Sequence, residues 1–528
     1  MAKESPEQSP NVVLILADDL GWSDLGSYGS EINTPVLDEL ADNGMRFTQF
    51  TNTSKCFPTR ASLLTGQYAQ SVGASKTWRQ PWVNSLTLGD VFRNAGYTTL
   101  FVGKHHGVDH PMDLGFDHYW GLFAGAANYF NPGYQRPEEA LPAQKRPLER
   151  PYCFDRKCFA PFTPEKGFYA TDEFTDWSIA LTQTSIEKQQ PFFLYLSYTA
   201  PHDPLHIPDE DRDMYSGVYD MGYAPIRQKR IERIKSLGLI DENAPVSDAI
   251  YRDWSSLSDK QRADEIARQE VFAAMTTRLD KQIGRLLDHL AKHDQLDNTL
   301  ILFLSDNGSS AEEVDIGEGK IGQIDRWASL NGDWANVGNT PFKQAKNSSY
   351  GGGVNTPFIV RLPKSMITQS TDNSQQNEEK DAAKNKGRIV RYPAHVKDIL
   401  PTMLAFVDNS YPKQIRNEPT IAPAGESLLK RFTNHELDED QTRNTPIFYQ
   451  WQNQRAVRYG KWRLVGQRDK EDQQWQYSLY DVVDDIAETT DISQQFPKEL
   501  EQLIDMLDAW ESRTYAEFDA AKQRREQM

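Results

Sequence analysis

Cys56 lies in the run Ser54-Lys55-Cys56-Phe57-Pro58-Thr59-Arg60-Ala61-Ser62-Leu63-Leu64-Thr65-Gly66, whose residue types and spacing suit a reaction on an anion. Pro58 fits the first turn of a helix, where its missing N–H costs nothing and its fixed φ helps. Thr59 to Thr65 continue that helix and Gly66 ends it. Cys56 is thereby expected just before a helix N-terminus, whose unpaired N–H groups favour an anion. Arg60 follows about one helical turn later, so its guanidinium is expected to point back at atoms on residue 56. Taken alone, the run is equally a buried cysteine before an ordinary helix.

Four apolar runs stop abruptly at polar residues able to hold a metal or an anion. Val12 to Ala17 ends in Asp18-Asp19, and Thr98 to Val102 in Gly103-Lys104-His105-His106. Phe192 to Leu196 leads to Ala200-Pro201-His202, and Leu300 to Leu304 ends in Ser305-Asp306-Asn307-Gly308. Each run reads as a buried strand. Helical patterns lie between them: one from Thr34-Pro35 to a stop at Gly44, one from Leu88 to Ala95, and a long amphipathic one from Phe272 to His293. This alternation predicts an α/β fold with a mostly parallel sheet flanked by helices on both faces. Ligands of such sheets bind beyond the carboxyl ends of the strands, so the four polar ends are expected to share one site.

That site divides chemically. Asp18, Asp19, Asp306 and Asn307 are hard oxygen donors, which suits Ca2+ ahead of Mg2+ and disfavours zinc. Either acidic pair alone is equally a loop start or a turn; the two together, each after an apolar run, point to a metal. Lys104, His106, His202 and Lys346 join Arg60 as a cationic half able to hold and protonate an oxyanion. Singly, each is more often a structural or surface residue; their common placement groups them. His105, His110, His118 and His206 are neighbours with no assigned role.

The 528 residues suffice for a large core and more than one domain. With 38% hydrophobic and 11% aromatic residues, the chain is a folded protein and not a disordered one. Its 76 acidic against 58 basic residues leave a net charge of −18, which argues against a nucleic-acid or acidic-membrane binder. An anionic substrate therefore needs a local basic pocket. No apolar run approaches a membrane span, and the polar start from Met1 to Pro10 is not a signal peptide. The expected location is periplasmic or secreted, with the leader absent from this sequence, and a cytoplasmic one stays open. Cys153 and Cys158 are spaced for either a small-loop disulfide, which would suit an oxidising compartment, or two reduced thiols; Cys56 is left unpaired.

Cys-x-Pro-x-Arg followed by an apolar pair and Thr-Gly resembles the type I sulfatase motif, and the similarity covers nearly the whole chain. Asn11 to Gly29 resembles the opening strand of that family with its metal aspartates. Gly103-Lys104-His105-His106 is similar to its Gly-Lys-Trp-His element, with His105 in place of Trp. Thr199 to Pro204 is similar to its Pro-His-x-Pro element, and Ser305 to Gly308 to its second metal motif. Asn339-Thr340-Pro341-Phe342-Lys343-Gln344-Ala345-Lys346 resembles the segment with the distal sulfate-binding lysine; Gly351-Gly352-Gly353 stands where Glu-Gly-Gly is usual, and Lys343 competes with Lys346 for the role. Lys55, Phe57 and Thr59 also depart from the usual pattern. The resemblance implies an alkaline-phosphatase-like core in a catalytic unit over residues 1–435, with a polar insertion at about 369–386, and a smaller α+β unit with an antiparallel sheet over residues 436–528. In the latter, Pro446 to Trp451, Arg455 to Val465 and Tyr477 to Val482 read as strands, and Pro497 onward as a helix.

The same resemblance implies that a formylglycine-generating enzyme oxidises Cys56 to formylglycine, an oxygen of which, with one from the substrate, would complete the metal shell. One hydroxyl of the hydrated aldehyde, ionised by the cation and Arg60, would attack sulfur in line. Lys104 and Lys346 would hold sulfate oxygens, His202 would protonate the departing alcohol, and His106 would take the proton of the remaining hydroxyl, expelling sulfate. The partner is then an anionic sulfate ester. A sulfated carbohydrate is preferred to a small aryl sulfate, because Trp78, Arg79, Trp82 and Asn84 form an aromatic and polar stretch able to stack on sugar rings. Two rivals stay open: a phosphonate monoester hydrolase or phosphodiesterase using the same groups on phosphorus, and a non-catalytic binder of sulfated glycans in which Cys56 is never oxidised.

Overall fold

Runs rich in β-branched and aromatic residues, the central ones buried on both sides, form a ten-stranded sheet in the computed structural model. In chain order its strands are β1 (Asn11–Asp18), β2 (Met45–Phe47), β3 (Thr98–Gly103), β4 (His118–Leu122), β5 (Tyr152–Phe154), β6 (Lys157–Phe159), β7 (Phe192–Pro201), β8 (Thr299–Ser305), β9 (Phe358–Arg361) and β10 (Arg388–Val390). Across the sheet the order is β10-β2-β9-β8-β1-β7-β3-β4-β5-β6. The central strands β8, β1, β7, β3 and β4 run parallel, whereas β9 and the β5–β6 hairpin pair antiparallel with their neighbours. The structure describes residues 9–146, 150–368, 386–416, 418–469, 471 and 474–527, so most of the polar start and of the 369–386 tract lies outside the described residues.

The period of two along β1 sends its residues to two separate cores. Val13, Ile15 and Ala17 pack under helix α1 (Pro35–Asp42), while Val12, Leu14 and Leu16 pack under α2 (Cys56–Thr65) and α3 (Leu88–Asn94). Helices α4 (Ala170–Glu187) and α5 (Asp259–Lys292) complete the first layer. Each aliphatic side chain so buried contributes about 1.5–3 kcal/mol, and the two layers hold the strand ends in a fixed frame. α5 starts well before Phe272, because Ser258 and Gln261 form a capping box. Its first turns bury Glu265 and Arg268 in ion pairs with Arg252 and Asp315, a polar face that hides the apolar period.

Beyond residue 440, strands β11 (Ile447–Trp451), β12 (Gln454–Tyr459), β13 (Trp462–Arg468) and β14 (Trp475–Asp481) form an antiparallel meander. The run from Arg455 to Val465 is thus two strands, turned at Gly460-Lys461, not one. Helix α6 (Pro497–Gln527) covers one face of the meander through Leu503, Leu507 and Trp510. The other face packs Ile447, Tyr449 and Tyr480 on Tyr350 and Val354, close to the Lys346 loop. After the 369–386 tract the chain makes a short bridge at Ala394–His395 and then a helix from Ile399 to Phe406. Cys153 and Cys158 are disulfide-bonded across the β5–β6 hairpin. None of the described helices is long and apolar enough to cross a membrane.

Candidate active site

The four polar strand ends fall on adjacent strands, β8-β1-β7-β3, and their loops are tied to one another. Asp306 N donates to Ala17 O at 3.1 Å and Lys104 N to Ser197 O at 2.7 Å, carrying sheet hydrogen bonding past the strands. Asn52 Nδ2 reaches Ser305 O at 3.2 Å. Lys346 N donates to Ser309 O at 3.1 Å and Asn347 N to Ser54 O at 2.9 Å, which brings in the segment of the distal lysine. Asp19, Ser54, His106 and Asn347 have φ of 64°, 64°, 57° and 73°. That left-handed conformation costs a non-glycine residue about 1–2 kcal/mol, and it recurs here where each of four segments turns at the site.

Helix α2 starts at Cys56 itself, with Lys55 as its N-cap, one residue earlier than expected. Thr59 explains its own departure from the usual pattern: its hydroxyl meets Thr53 N at 3.1 Å and Thr53 Oγ1 at 2.8 Å, fastening the chain that leads into the helix. Phe57 packs edge-on against His106 at 5.6 Å and Trp451 at 5.4 Å. Cys56 is buried and has no partner thiol.

Arg60, fully buried, gives its hydrogen bonds to groups other than residue 56, although Cys56 is close enough to act on its charge. Its Nε and Nη2 donate to Asp306 Oδ2 at 3.0 and 2.7 Å, and its Nη1 to Lys104 O at 3.0 Å and Ser197 Oγ at 2.5 Å. Burial opposes its charge, but Asp306 and Asp18 outweigh it and raise its pKa further. Lys104 Nζ lies 2.5 Å from Asp18 Oδ2 and Lys346 Nζ 2.7 Å from Asp19 Oδ2. Lys346 is held well above its usual range against burial, chiefly by Asp19. His202 Nδ1 is fixed by Asp203, at 2.7 Å from its carbonyl and 2.8 Å from its carboxylate, and Nε2 faces Lys346 Nζ at 3.3 Å and Asp19 at 3.5 Å. Against burial, the neighbouring carboxylates raise this ring well above the ordinary range. His106 is the opposite case: burial, then Lys104 and Arg60, push it well below that range. Its ring sits where a Cβ on Gly125 would lie 2.7 Å away, so only glycine fits there.

The donor set fits a divalent cation. One ligand atom from each of Asp18, Asp19, Cys56 and His202 lies within 4.8 Å of every other. Asp18 Oδ1 and Asn307 Oδ1 are buried oxygens without a hydrogen-bond partner, a costly state that a cation would relieve. Asp306 is pushed up by burial and by the Asp18 carboxylate, another sign of crowded negative charge. Asn307 Nδ2 donates to Asp19 Oδ1 at 2.6 Å, and Asp19 N to Asp306 Oδ1 at 3.3 Å, so all four expected ligands meet.

Cys56, His106, His202 and Lys346 open into one pocket of about 470 Å3. Lys343 stays outside, over the Tyr350 ring at 4.7 Å, which separates the two competing lysines. Half-buried Trp78 lines the wall, 5.7 Å from His106. Trp82 and Asn84 do not: Trp82 packs on His105 at 5.7 Å, and Asn84 Nδ2 bonds Ser71 O and Glu517 O at 3.0 Å each. His105 packs among aromatic rings, consistent with its place where Trp is usual. Three contributors escaped the sequence reading. Ser197 holds Arg60, Asp203 orients His202 from inside the recognised Pro201-His202 element, and Glu312 pairs with Lys145 at 2.7 Å and sits 3.6 Å from Lys346.

Comparison with known proteins places the chain in a family. The family model described as Sulfatase matches residues 10–408. An arylsulfatase of Klebsiella aerogenes is 30% identical over 462 residues, 81% of this chain and 93% of that protein. The structure of Ps i-CgsB in complex with k-i-k-neocarrahexaose shares the fold at a TM-score of 0.67 and 23% identity, covering 96% of this chain and 93% of that one. The structure of BT4656 in complex with its substrate D-glucosamine-2-N,6-O-disulfate does so at 0.63 and 19%, covering 97% and 99%. With three quarters of its length, a span that includes the Cys56 helix and the strand-end aspartates, matching one family model, the chain belongs to the sulfatase family and is a sulfuric ester hydrolase.

Proposed function

We propose that this sulfatase cleaves the sulfate ester of a sulfated carbohydrate, using a formylglycine made from Cys56 and a divalent cation, Ca2+ by the donor set, on Asp18, Asp19, Asp306 and Asn307. The observation that carries the reading is a buried, partnerless cysteine at the first position of a helix, flanked by carboxylates and by Lys346 and His202. Oxidation of the thiol would supply, as the aldehyde hydrate, a hydroxyl nucleophile for sulfur, and a cation held by the four oxygen donors would supply positive charge to the site. Lys104 and Lys346 bind the sulfate oxygens. Arg60 holds the carboxylates in place, and its charge acts on residue 56 as well. His202, oriented by Asp203, gives a proton to the departing alcohol oxygen from Nε2. His106 is kept neutral by its surroundings, so it is free to accept the proton of the second hydroxyl.

The carbohydrate preference is supported by the size of the pocket, by Trp78 in its wall, and by two similarly folded proteins solved with saccharides. The disulfide supports an exported protein, matured by a formylglycine-generating enzyme. We place the division between the catalytic and C-terminal units at about residue 435, before the antiparallel meander. A panel of sulfated mono- and oligosaccharides beside an aryl sulfate and a phosphonate monoester tests the reading. Saccharide sulfates are expected to be the best substrates; activity confined to the aryl ester ends the carbohydrate claim, and a preference for the phosphonate overturns the choice of sulfur.

A further inference from the structure

The chain carries a net charge of −18, yet Lys55, Lys76, Arg79, Lys145, Arg146 and Arg150 line the mouth of the pocket against a single carboxylate, Glu312. Glu312 is taken up by Lys145 at 2.7 Å and Lys55 at 3.5 Å. Among the described residues, no carboxylate pairs with Lys76, Arg79, Arg146 or Arg150. For Lys76, Arg79 and Arg146, which are exposed, water suffices. Arg150 differs. It is 9% exposed, its guanidinium lies 5.6 Å from the Trp327 ring centroid, and no described protein group accepts a hydrogen bond from it. Burial, then the charge of Arg146, pushes it down to about 10. None of its nitrogens is sealed from solvent, and a guanidinium enclosed by protein yet open to the pocket presents a fork that matches two oxygens of an oxyanion.

We infer that Arg150 anchors a second anion subsite: besides the sulfate that is cleaved, the substrate carries another sulfate or a carboxylate, which Arg150 grips at the pocket wall. The inference rests on the sulfate-ester reading above and narrows it to polyanionic substrates. The loops bearing Arg150 and Arg146 act on specificity, and the strand ends act on the chemistry.

The test measures kcat/KM on two scaffolds, an aryl sulfate and a saccharide sulfate, each without a second anion, with a second sulfate and with a carboxylate, using protein matured with a formylglycine-generating enzyme. The ratio of double- to single-anion substrates is expected to be roughly tenfold to a hundredfold for the native sequence and to approach one in Arg150→Gln. The arm with the larger ratio identifies the group as sulfate or carboxylate. A native ratio near one overturns the subsite, as does a high ratio that Arg150→Gln leaves unchanged. If the glutamine variant does not fold, Arg150→Lys keeps the stem and charge but loses the fork, and an unchanged ratio in it overturns the assignment equally. If no saccharide ester is cleaved, the carbohydrate reading fails while the aryl series still decides the subsite.

Discussion

At the floor of the pocket each cation is matched to a carboxylate: Arg60 to Asp306, Lys104 to Asp18 and Lys346 to Asp19. At the mouth, Arg79, Arg146 and Arg150 have no such partner among the described residues. The two regions divide the handling of an anion. Paired, buried charges are held rigidly, which suits stabilisation of charge at a fixed point during reaction. Unpaired charges at an opening project their field into solvent, which suits capture and selection of a negatively charged ligand by a protein that is acidic as a whole.

The sharpest way to break this contrast is to remove a paired cation. Arg60→Ala leaves Asp306 and Asp18 buried without their guanidinium, so it is expected to cost about 3–5 kcal/mol in denaturant unfolding together with turnover. Retention of native stability would contradict the view of the floor as a rigid charge-paired frame. Next in size, Lys346→Ala is expected to lower kcat by about 10²–10³-fold. Lys343→Ala, which removes a side chain lying over Tyr350, should change it far less, and the reverse order would reassign the distal lysine. Stripping divalent cations is expected to lower stability by about 2–3 kcal/mol relative to protein at a hundred times the dissociation constant of the ion, with Ca2+ restoring more than Mg2+. An unaltered melting temperature with and without chelator would remove the cation from the account. The smallest effect belongs to the mouth: Arg79→Ala, at an exposed residue, is expected to raise KM by only about twofold to fivefold and to weaken the salt dependence of kcat/KM.

The same contrast separates what was legible in the sequence from what was not. Asp18, Lys104, His202 and Asp306 each follow a buried apolar run, and parallel sheets gather such strand ends, so short-range pattern suffices to group them. The mouth is built from loops whose meeting depends on long-range packing: Lys145 and Glu312 pair across 167 residues. Trp78 and Trp82 look alike in sequence, but only Trp78 faces the pocket, because Trp82 is drawn under His105. Lys343 and Lys346 are separated by Gln344 at φ 71° and followed by Asn347 at φ 73°, turns that composition does not announce. Arg60 falls at the expected site, but one-turn spacing on a helix says nothing of the carboxylates at the ends of β1 and β8 that take up its guanidinium. The early start of α5 was hidden by ion-paired residues on its buried face.

The most direct test is the mass of the peptide containing Cys56, read on protein expressed with a formylglycine-generating enzyme and compared with the turnover of the same sample. The account predicts that an aldehyde replaces the thiol and that kcat scales with the converted fraction. Turnover by protein whose Cys56 stays an unmodified thiol would contradict it and move the nucleophile elsewhere.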